Sequence, residues 1–181
     1  HSRVGTGYVF SSRFKDDDAA ADEFLAHLGD VPEGATPRVI GMKVGRAARS
    51  WEKNCIAIGL SGGFVEPLES TAIYLIESAL RWLGSYFPDA EFAPALARRY
   101  NALMERLYRE IRDFIVLHYI TSNRTDSPYW KAAQNEIAVP DTLAEAIEVM
   151  KHALPDSDDF EQGLLFNHYS YLLVLAGKGL L

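Results

Sequence analysis

The sequence contains one cysteine, Cys55, so the chain can form no internal disulfide. Cys55 lies in the apolar run of residues 55–58. That setting favours a small buried thiol over a catalytic nucleophile, because a nucleophile needs a basic and partly exposed environment. A chain with a single cysteine is typical of a reducing compartment, and we expect a cytoplasmic protein.

Positive charge, long apolar runs and metal-ligand spacings are also scarce. The net charge of −7 argues against a basic surface for nucleic acid or for an anionic membrane. Charged residues interrupt the longest apolar stretches, so we predict no membrane-spanning helix. No metal site is predicted, since the histidines are scattered over positions 1, 27, 118, 152 and 168. With 48% hydrophobic residues, the composition is typical of a globular protein.

The two termini differ from ordinary chain ends, which are usually polar. A strand-like run follows His1 almost at once, and the last residues, Leu180 and Leu181, are apolar and follow a helix-like segment. We therefore expect both ends to lie within a longer protein.

The first third of the sequence predicts strands with one helix among them. Residues 4–12, 38–46 and 55–58 are rich in residues that favour strands. Between the first two runs, acidic residues at 16–18 mark the start of a helix and Gly29 marks its end. The apolar side of that helix would consist of Ala20, Phe24, Leu25 and Leu28.

From residue 73 onward the apolar spacing changes to about 3.6 residues, which predicts amphipathic helices. The apolar stripes are Ile73, Ile76, Leu80, Leu83 and Phe87; then Leu96, Tyr100, Leu103, Leu107, Ile111, Phe114 and His118; and then Leu143, Ile147 and Met150 behind a cap at Asp141. A fourth helix is predicted from about Phe160 to Ala176. A solvated outer face is predicted on the second helix from Arg98, Glu105, Arg106, Arg109 and Glu110.

These patterns predict an α+β fold in which a few strands precede a mainly helical region. We expect residues 1–72 to be the strand-rich part of one domain and residues 73–181 to be a helical region. The helical stripes would need further surfaces to become buried.

A glycine-rich segment after the last predicted strand is the first candidate for chemistry. Gly59, Ser61, Gly62 and Gly63 carry no bulky side chain, so their backbone could approach a flat ligand or a phosphate closely. The segment does not contain the G-x-G-x-x-G pattern and lacks the lysine of a P-loop.

The start of the next helix is the second candidate. Ser70 and Thr71 are good N-caps, and the first turn of a helix carries unpaired N–H groups with about half a positive charge. An anion therefore fits at Thr71 and Ala72. Glu69 lies beside that position and is a candidate for acid–base or cation-stabilising work. Taken by themselves, these residues favour a simpler explanation, in which Glu69 only complements the helix dipole.

Residues 55–71, CIAIGLSGGFVEPLEST, closely resemble the signature segment of flavin-dependent tryptophan halogenases. Further segments are similar to the same family in the same order: residues 3–12, Gly45-Arg46 with Trp51 and Asn54, and parts of residues 111–130. The resemblance extends over nearly the whole chain and implies part of a larger FAD-binding fold.

The resemblance implies an enzyme that chlorinates or brominates an electron-rich aromatic ring, such as indole or tryptophan. In that family, reduced FAD from a separate flavin reductase reacts with O₂ to give a flavin hydroperoxide, and chloride or bromide converts it to hypohalous acid. Glu69 would be the glutamate that acts with a lysine to position the halogen and to help the ring lose its proton. The whole enzyme could be a dimer.

The resemblance also assigns binding residues. Residues beside the isoalloxazine would be Gly59, Leu60, Ser61, Gly62, Gly63 and Pro67, and the halide would lie at Thr71 and Ala72. The substrate pocket would be lined by His118, Tyr119, Tyr129 and Trp130, because aromatic faces suit an indole. From the residues alone, Tyr129 and Trp130 would instead be a core anchor for the long helix.

The chain departs from the family in what it does not contain. The dinucleotide-binding motif, the catalytic lysine and the W-x-W-x-I-P motif are absent, so we expect the isolated chain to bind FAD weakly and not to halogenate. Thr125 stands where members that act on free tryptophan carry an acidic residue. This favours indole, a larger indole derivative or another aromatic compound as substrate.

Two other functions remain open from the sequence. A related FAD-dependent aromatic monooxygenase would share the glycine-rich flavin segment, although the P-L-E-S-T run favours halogenation. A helical interaction module without chemistry would use only the helices after residue 73.

Overall fold

The computed structural model describes residues 5–32, 34–65, 71–155 and 163–181. Its elements are α1 (Asp17–Leu28), β1 (Gly45–Arg46), β2 (Trp51–Glu52), β3 (Cys55–Ile56), a 3₁₀ turn (Gly59–Ser61), β4 (Gly63–Phe64), α2 (Thr71–Ser85), α3 (Pro94–Ile120), α4 (Pro128–Asn135), α5 (Asp141–His152) and α6 (His168–Gly177). Short strands followed by helices confirm the α+β prediction. No helix in these ranges is long and apolar enough to cross a membrane.

The strands form two small antiparallel ladders. In one, β1 pairs with β4, with Gly45 opposite Phe64 and Arg46 opposite Gly63. In the other, β2 pairs with β3 as a hairpin, and the turn between them contains Lys53 with a φ of 54°. Asn101 on α3 holds the hairpin in place: its side chain accepts from the N–H of Trp51 at 2.8 Å and donates to the carbonyl oxygen of Trp51 at 2.9 Å.

The sequence predicted longer strands than the structure contains. Residues 5–12 form no strand, residues 38–46 contribute only β1, and residues 55–58 contribute only β3. A strand needs a hydrogen-bonded neighbour, and within the described ranges residues 38–44 pair with none, so their strand-like composition stays exposed. The exposed apolar side chains there are Val39, Ile40, Met42 and Val44.

α1 begins and ends where its local signals predict. The side chain of Asp16 accepts a hydrogen bond from the N–H of Ala19 at 2.8 Å, which caps the first turn. Gly29 ends the helix with a φ of 70°, a conformation that glycine adopts without strain. Of the predicted apolar side, only Ala20 is buried.

α3 is the central element, and β2, α2, α4, α5 and α6 all pack on it. The predicted stripe is confirmed, since Tyr100, Leu107 and Ile111 are fully buried and Phe114 is nearly so. A first core cluster joins α3 to α2 and to the β2–β3 hairpin. A second core cluster joins the end of α3 to α5 and α6.

Glu110 contradicts the prediction of a fully solvated outer face on α3. Its carboxylate accepts hydrogen bonds from three consecutive backbone N–H groups, those of Leu164 (2.7 Å), Leu165 (2.8 Å) and Phe166. The hydroxyl of Tyr74 on α2 donates to the carbonyl oxygen of Leu164. Residues 164–166 therefore form a strap across α2 and α3.

This strap explains why the last helix begins later than predicted. Residues 164–166 give their N–H groups to Glu110, and α6 begins only after Asn167, whose side chain accepts from the N–H of Ser170 at 3.3 Å. Residues 160–162, which belong to the predicted helix, lie outside the described ranges.

The buried face of α2 is not the predicted one. Leu75, Ala79 and Trp82 face the core, with Ser78 between them. Ile73 and Leu80 of the predicted stripe are 75% and 54% exposed, and Ile76 is 38% exposed. We call Ile73, Ile76 and Leu80 the outer face of α2. The helix is thus apolar on two sides, in line with the expectation that its stripe needs another surface.

Three smaller predictions were also wrong or incomplete. Cys55 is exposed rather than buried, because its side chain lies on the open side of the β2–β3 hairpin. Asp141 is the first residue of α5 and not its cap, a position held by Pro140 without a side-chain hydrogen bond. α4 was not predicted, although Ser127 caps it and Pro128 occupies its first position.

Candidate functional site

The glycine-rich segment is held by its own hydrogen bonds. The N–H of Ile58 donates to Oγ of Ser61 at 3.0 Å, and the Ser61 hydroxyl donates to the carbonyl oxygen of Ile58 at 2.8 Å. The N–H of Gly62 donates to the carbonyl oxygen of Gly59 at 2.9 Å. These contacts make a tight turn between β3 and β4, and the Ser61 hydroxyl is hydrogen-bonded to the backbone of Ile58.

Two of the glycines are required by contacts within the chain itself. A Cβ atom at Gly63 would lie 2.8 Å from the Cα of Arg46, and one at Gly62 would lie 3.0 Å from the carbonyl oxygen of Ala57. Gly59 differs, since it has a φ of 65° and a Cβ there would meet only the flexible side chain of Ile76, at 3.3 Å. The sequence predicted that Gly62 and Gly63 allow a ligand to approach the backbone closely. In this structure they instead allow neighbouring backbone of the same chain to do so.

A small pocket of about 50 Å³ opens between the glycine-rich segment and the start of α2. We call it the glycine-segment pocket. It is lined by Gly59, Leu60, Gly63, Phe64, Val65, Thr71, Ala72, Leu75 and Ile76. The structure thus brings Gly59, Leu60 and Gly63, predicted to border a flavin, next to Thr71 and Ala72, predicted to bind a halide.

The remaining predicted flavin residues divide into two groups. Ser61 and Gly62 line a second, more open groove of about 270 Å³, together with Lys43 and Arg46 and with Leu60 and Gly63, which line both. Pro67 lies outside the described residues, as does Glu69, the predicted catalytic carboxylate.

The volume and lining of the glycine-segment pocket limit what it can hold alone. A water-sized group needs roughly 10–15 Å³, whereas ligand pockets in proteins measure roughly 300–1,000 Å³. About 50 Å³ therefore suits a single ion or small group. A three-ring flavin could meet this chain only as one wall of a larger site.

Three of the predicted substrate residues form one aromatic cluster where α3 meets α4. The rings of Tyr119 and Trp130 are stacked with centroids 5.8 Å apart, and Tyr129 meets Trp130 edge-on at 5.3 Å and Tyr119 at 6.3 Å. The guanidinium of Arg124 lies 4.5 Å from the centroid of the Trp130 ring. All three rings are half-buried, so the cluster is both packed and accessible.

Arg124 is itself oriented by an acidic neighbour. Its Nε and Nη2 donate to the two carboxylate oxygens of Asp126 at 3.0 and 2.6 Å. These hydrogen bonds lower the pKa of the Asp126 carboxyl, which therefore stays ionised. In the loop before α4, the Arg124 guanidinium therefore contacts the Trp130 ring while its charge is balanced by Asp126.

His118 is placed differently from the other predicted substrate residues. Its Nδ1 lies 2.8 Å from the carbonyl oxygen of Phe114, and its ring meets the Phe114 ring edge-on at 4.6 Å. Phe114 belongs to the second core cluster and also contacts Tyr171, where burial, followed by the negative charges of Asp113 and Glu110, raises the pKa of the phenol.

The glycine-segment pocket and the aromatic cluster rest on one packed unit. Leu75, a pocket residue, belongs to the first core cluster. Val65 of the pocket and Tyr119 of the aromatic cluster both pack against that same cluster. The first core cluster therefore connects the two parts of the predicted site.

Two residues at this site were missed in the sequence. Phe14 meets Tyr129 edge-on at 5.8 Å, although no local pattern links positions so far apart in the chain. Arg124 was part of the recognised segment, and its contact with the ring of Trp130 depends on the turn between α3 and α4.

Known proteins match nearly the whole of this chain. The sequence model of the family described as tryptophan halogenase matches residues 1–181. The tryptophan 6-halogenase SttH of Streptomyces toxytricini is 41% identical over 98% of this chain and 34% of its own length. The tryptophan 7-halogenase RebH of Lentzea aerocolonigenes is 41% identical over 98% of this chain and 36% of its own length.

A solved structure gives the same result for the fold. BrvH, a flavin-dependent halogenase from Brevundimonas sp. BAL3, superposes with a TM-score of 0.82 and 39% identity over 94% of this chain and 34% of that chain. The chain spans about a third of the length of the curated relatives that it matches. By sequence and by fold, the chain belongs to the tryptophan halogenase family.

Proposed function

We propose that this chain is the part of a flavin-dependent halogenase that carries the halide side of the flavin site and one wall of the aromatic-substrate pocket. The whole enzyme would chlorinate or brominate an electron-rich aromatic ring. The observation that carries the proposal is the glycine-segment pocket, in which Gly59, Leu60 and Gly63 meet Thr71 and Ala72.

The halide would lie in this pocket at the start of α2. The first-turn N–H groups of a helix of this length point toward its N-terminus with a partial positive charge. Thr71 is buried, and the side chains of Leu60, Leu75 and Ile76 that line the pocket are apolar, so they offer an ion no hydrogen bond. The amides are then the main groups available to solvate an anion.

FAD would be held only partly by this chain. Gly59 and Gly63 fit the edge of a flat ring because they carry no side chain, and the apolar side chain of Leu60 could pack against the ring. Bound reduced FAD would supply the oxygen activation that converts halide into hypohalous acid. We propose that a separate flavin reductase supplies the reduced cofactor in the cytoplasm.

Glu69 would be the residue that takes part in ring halogenation. A carboxylate two positions before Thr71 could orient the electrophilic halogen and accept the proton that the ring loses. The lysine that acts with it in the family is not part of this sequence, so the complete reaction would need the remainder of the enzyme.

The aromatic cluster supports an aromatic substrate. Tyr119, Tyr129 and Trp130 present half-buried ring surfaces against which an indole could pack. Thr125 carries no negative charge to form an ion pair with the ammonium group of a free amino acid, and the neighbouring Asp126 is already bonded to Arg124. We therefore propose indole, a larger indole derivative or another aromatic compound rather than free tryptophan.

The experiment that tests this proposal uses the full-length enzyme. It would be incubated with FAD, a flavin reductase, NADH, O₂, bromide and indole, and products would be followed by mass spectrometry. We expect brominated indole that disappears when bromide is omitted. Hydroxylated indole formed equally well without halide would instead show an aromatic monooxygenase.

A further inference from the structure

A turn near the N-terminus directs a phenylalanine toward the aromatic cluster. The N–H groups of Phe14 and Lys15 both donate to the carbonyl oxygen of Ser11, at 2.9 and 3.1 Å. The ring of Phe14 is half-buried and meets Tyr129 at 5.8 Å with an interplanar angle of 86°. This is the edge-to-face geometry that aromatic pairs prefer. Phe14 is thus a fourth ring beside Tyr119, Tyr129 and Trp130.

An ion pair holds this turn on α4. Nη2 of Arg13 lies 2.7 Å from Oε2 of Glu136, which directly follows the last residue of α4. The guanidinium of Arg13 also lies 5.0 Å from the centroid of the Phe14 ring. The turn therefore contacts α4 near its start, through Tyr129, and at its end, through Glu136.

A second set of contacts ties the same turn to α1. The Tyr8 hydroxyl donates to Glu23 at 3.0 Å, and the ammonium group of Lys15 donates to the Tyr8 hydroxyl at 3.2 Å. Lys15 also forms an ion pair with Glu23. These contacts are made within residues 8–23, so they hold the turn against α1 in addition to its contacts with α4.

We propose that Phe14 is a specificity-determining residue of the aromatic-substrate pocket, where its ring sets the orientation of Tyr129 and closes one side of the cluster. The Arg13–Glu136 pair is a positioning contact that keeps Phe14 in place. This inference rests on the proposed function, because it concerns the pocket in which an aromatic substrate would be halogenated.

The physical reason lies in the contacts of Tyr129. Among the described residues, the rings that contact Tyr129 are those of Tyr119 and Trp130, from the α3–α4 region, and that of Phe14, from a distant part of the chain. Without Phe14, the Tyr129 ring could tilt and the pocket would widen on that side. A small aromatic substrate would then be held less well, and a larger one would be accommodated better.

The test compares Phe14→Ala with wild type in the full-length enzyme, using indole and the larger carbazole as substrates. We expect the KM for indole to rise about two- to tenfold, the value of one aromatic contact. The kcat for indole should change little, and the preference for carbazole should increase.

Phe87→Ala is the control, because Phe87 follows the end of α2 and its ring is 72% exposed. It should leave both KM values unchanged. If Phe14→Ala behaves like Phe87→Ala, the role of Phe14 is refuted while the halogenase function stands. If wild type forms no halogenated product, the proposed function and this inference both fail. Phe14→Leu, which keeps an apolar side chain without a ring edge, decides in the same way if Phe14→Ala does not fold.

Discussion

The backbone of β4 passes so close to β1 that a side chain at position 63 has no room. A Cβ atom there would lie 2.8 Å from both Cα and Cβ of Arg46, and backbone atoms cannot move aside without breaking the β1–β4 ladder. We expect Gly63→Ala to lower the free energy of unfolding by about 1–3 kcal/mol, as overpacking does. Urea denaturation followed by circular dichroism measures this change.

Gly84→Ala is the control for that prediction. Gly84 lies in α2, and a Cβ there would meet no other atom within 4 Å. Alanine is a better helix former than glycine, so this variant should be more stable by up to about 1 kcal/mol. Equal destabilisation by both substitutions would contradict the close approach at Gly63.

Glu69 is the residue on which the proposed chemistry depends most. We expect Glu69→Gln in the full-length enzyme to lower the rate of halogenation by roughly a hundred- to ten-thousand-fold, the contribution of a positioned acid–base group. Product formation under saturating halide measures the effect. Glu77→Gln, an exposed position on α2, should keep full activity. Full activity of the Glu69→Gln variant would remove Glu69 from the mechanism.

At the scale of elements, the strap of residues 164–166 depends on one carboxylate. Glu110 accepts three backbone N–H groups, and Phe166 stacks on Phe114 with centroids 3.8 Å apart. Glu110→Ala leaves these N–H groups without their acceptor, so we expect unfolding free energy to fall by about 1–3 kcal/mol. Limited proteolysis should also cut near residue 165 faster than in wild type.

Glu105→Ala gives the comparison for Glu110→Ala. Glu105 is exposed and makes a single ion pair with Arg46 at 3.1 Å, a contact worth at most about 1 kcal/mol. It should leave the proteolysis pattern unchanged. If the two variants have the same stability and the same cleavage sites, Glu110 does not hold the strap.

Helices were predictable from the sequence to the extent that their signals are local. Asp16 and Gly29 bound α1 as predicted, and the stripe from Tyr100 to Phe114 identified the buried face of α3. α4 was missed because its eight residues are too short for a clear period, although Ser127 and Pro128 signal its start. The strands failed because pairing partners such as Arg46 and Gly63 come from separate segments.

On the scale of the whole molecule, the outer face of α2 is an apolar surface that no described element covers. Ile73, Ile76 and Leu80 project from one helix beside Leu60, which is 78% exposed at the rim of the glycine-segment pocket. Contiguous apolar surface of this kind promotes association. We expect the 181-residue chain alone to bind a hydrophobic dye and to self-associate at higher concentration.

A double substitution tests this expectation. Ile73→Ser with Leu80→Ser should reduce dye fluorescence and association without lowering the melting temperature, because neither side chain contributes to the core. Glu77→Ser, on the same helix and also exposed, should not reduce them. A wild-type chain that is monomeric and binds no dye would contradict the exposed face.

The sequence predicted the residues of the glycine-segment pocket and those of the aromatic cluster for different reasons. The adjacency of the glycine-rich segment to Thr71 and Ala72 was predictable, since only a few residues separate them. The family resemblance predicted that Tyr119, Tyr129 and Trp130 line one substrate pocket, and in the structure these rings contact one another. The surroundings of His118 could not be predicted from the sequence, because they depend on how α3 is rotated in the fold. The contact of Phe14 with Tyr129 could not be predicted either, because the two residues are far apart in the chain.

The sequence by itself determined the family, the main helices and the segment in which the chemistry is expected. Helix formation depends on hydrogen bonds and caps within a few residues, so it can be predicted from local sequence. A signature such as residues 55–71 is contiguous and can likewise be recognised from local sequence. Only the tertiary structure decided which side of α2 is buried, that Glu110 holds residues 164–166, and that Phe14 meets Tyr129. Each of these depends on partners far apart in the chain, whose meeting is set by packing around α3 rather than by local pattern.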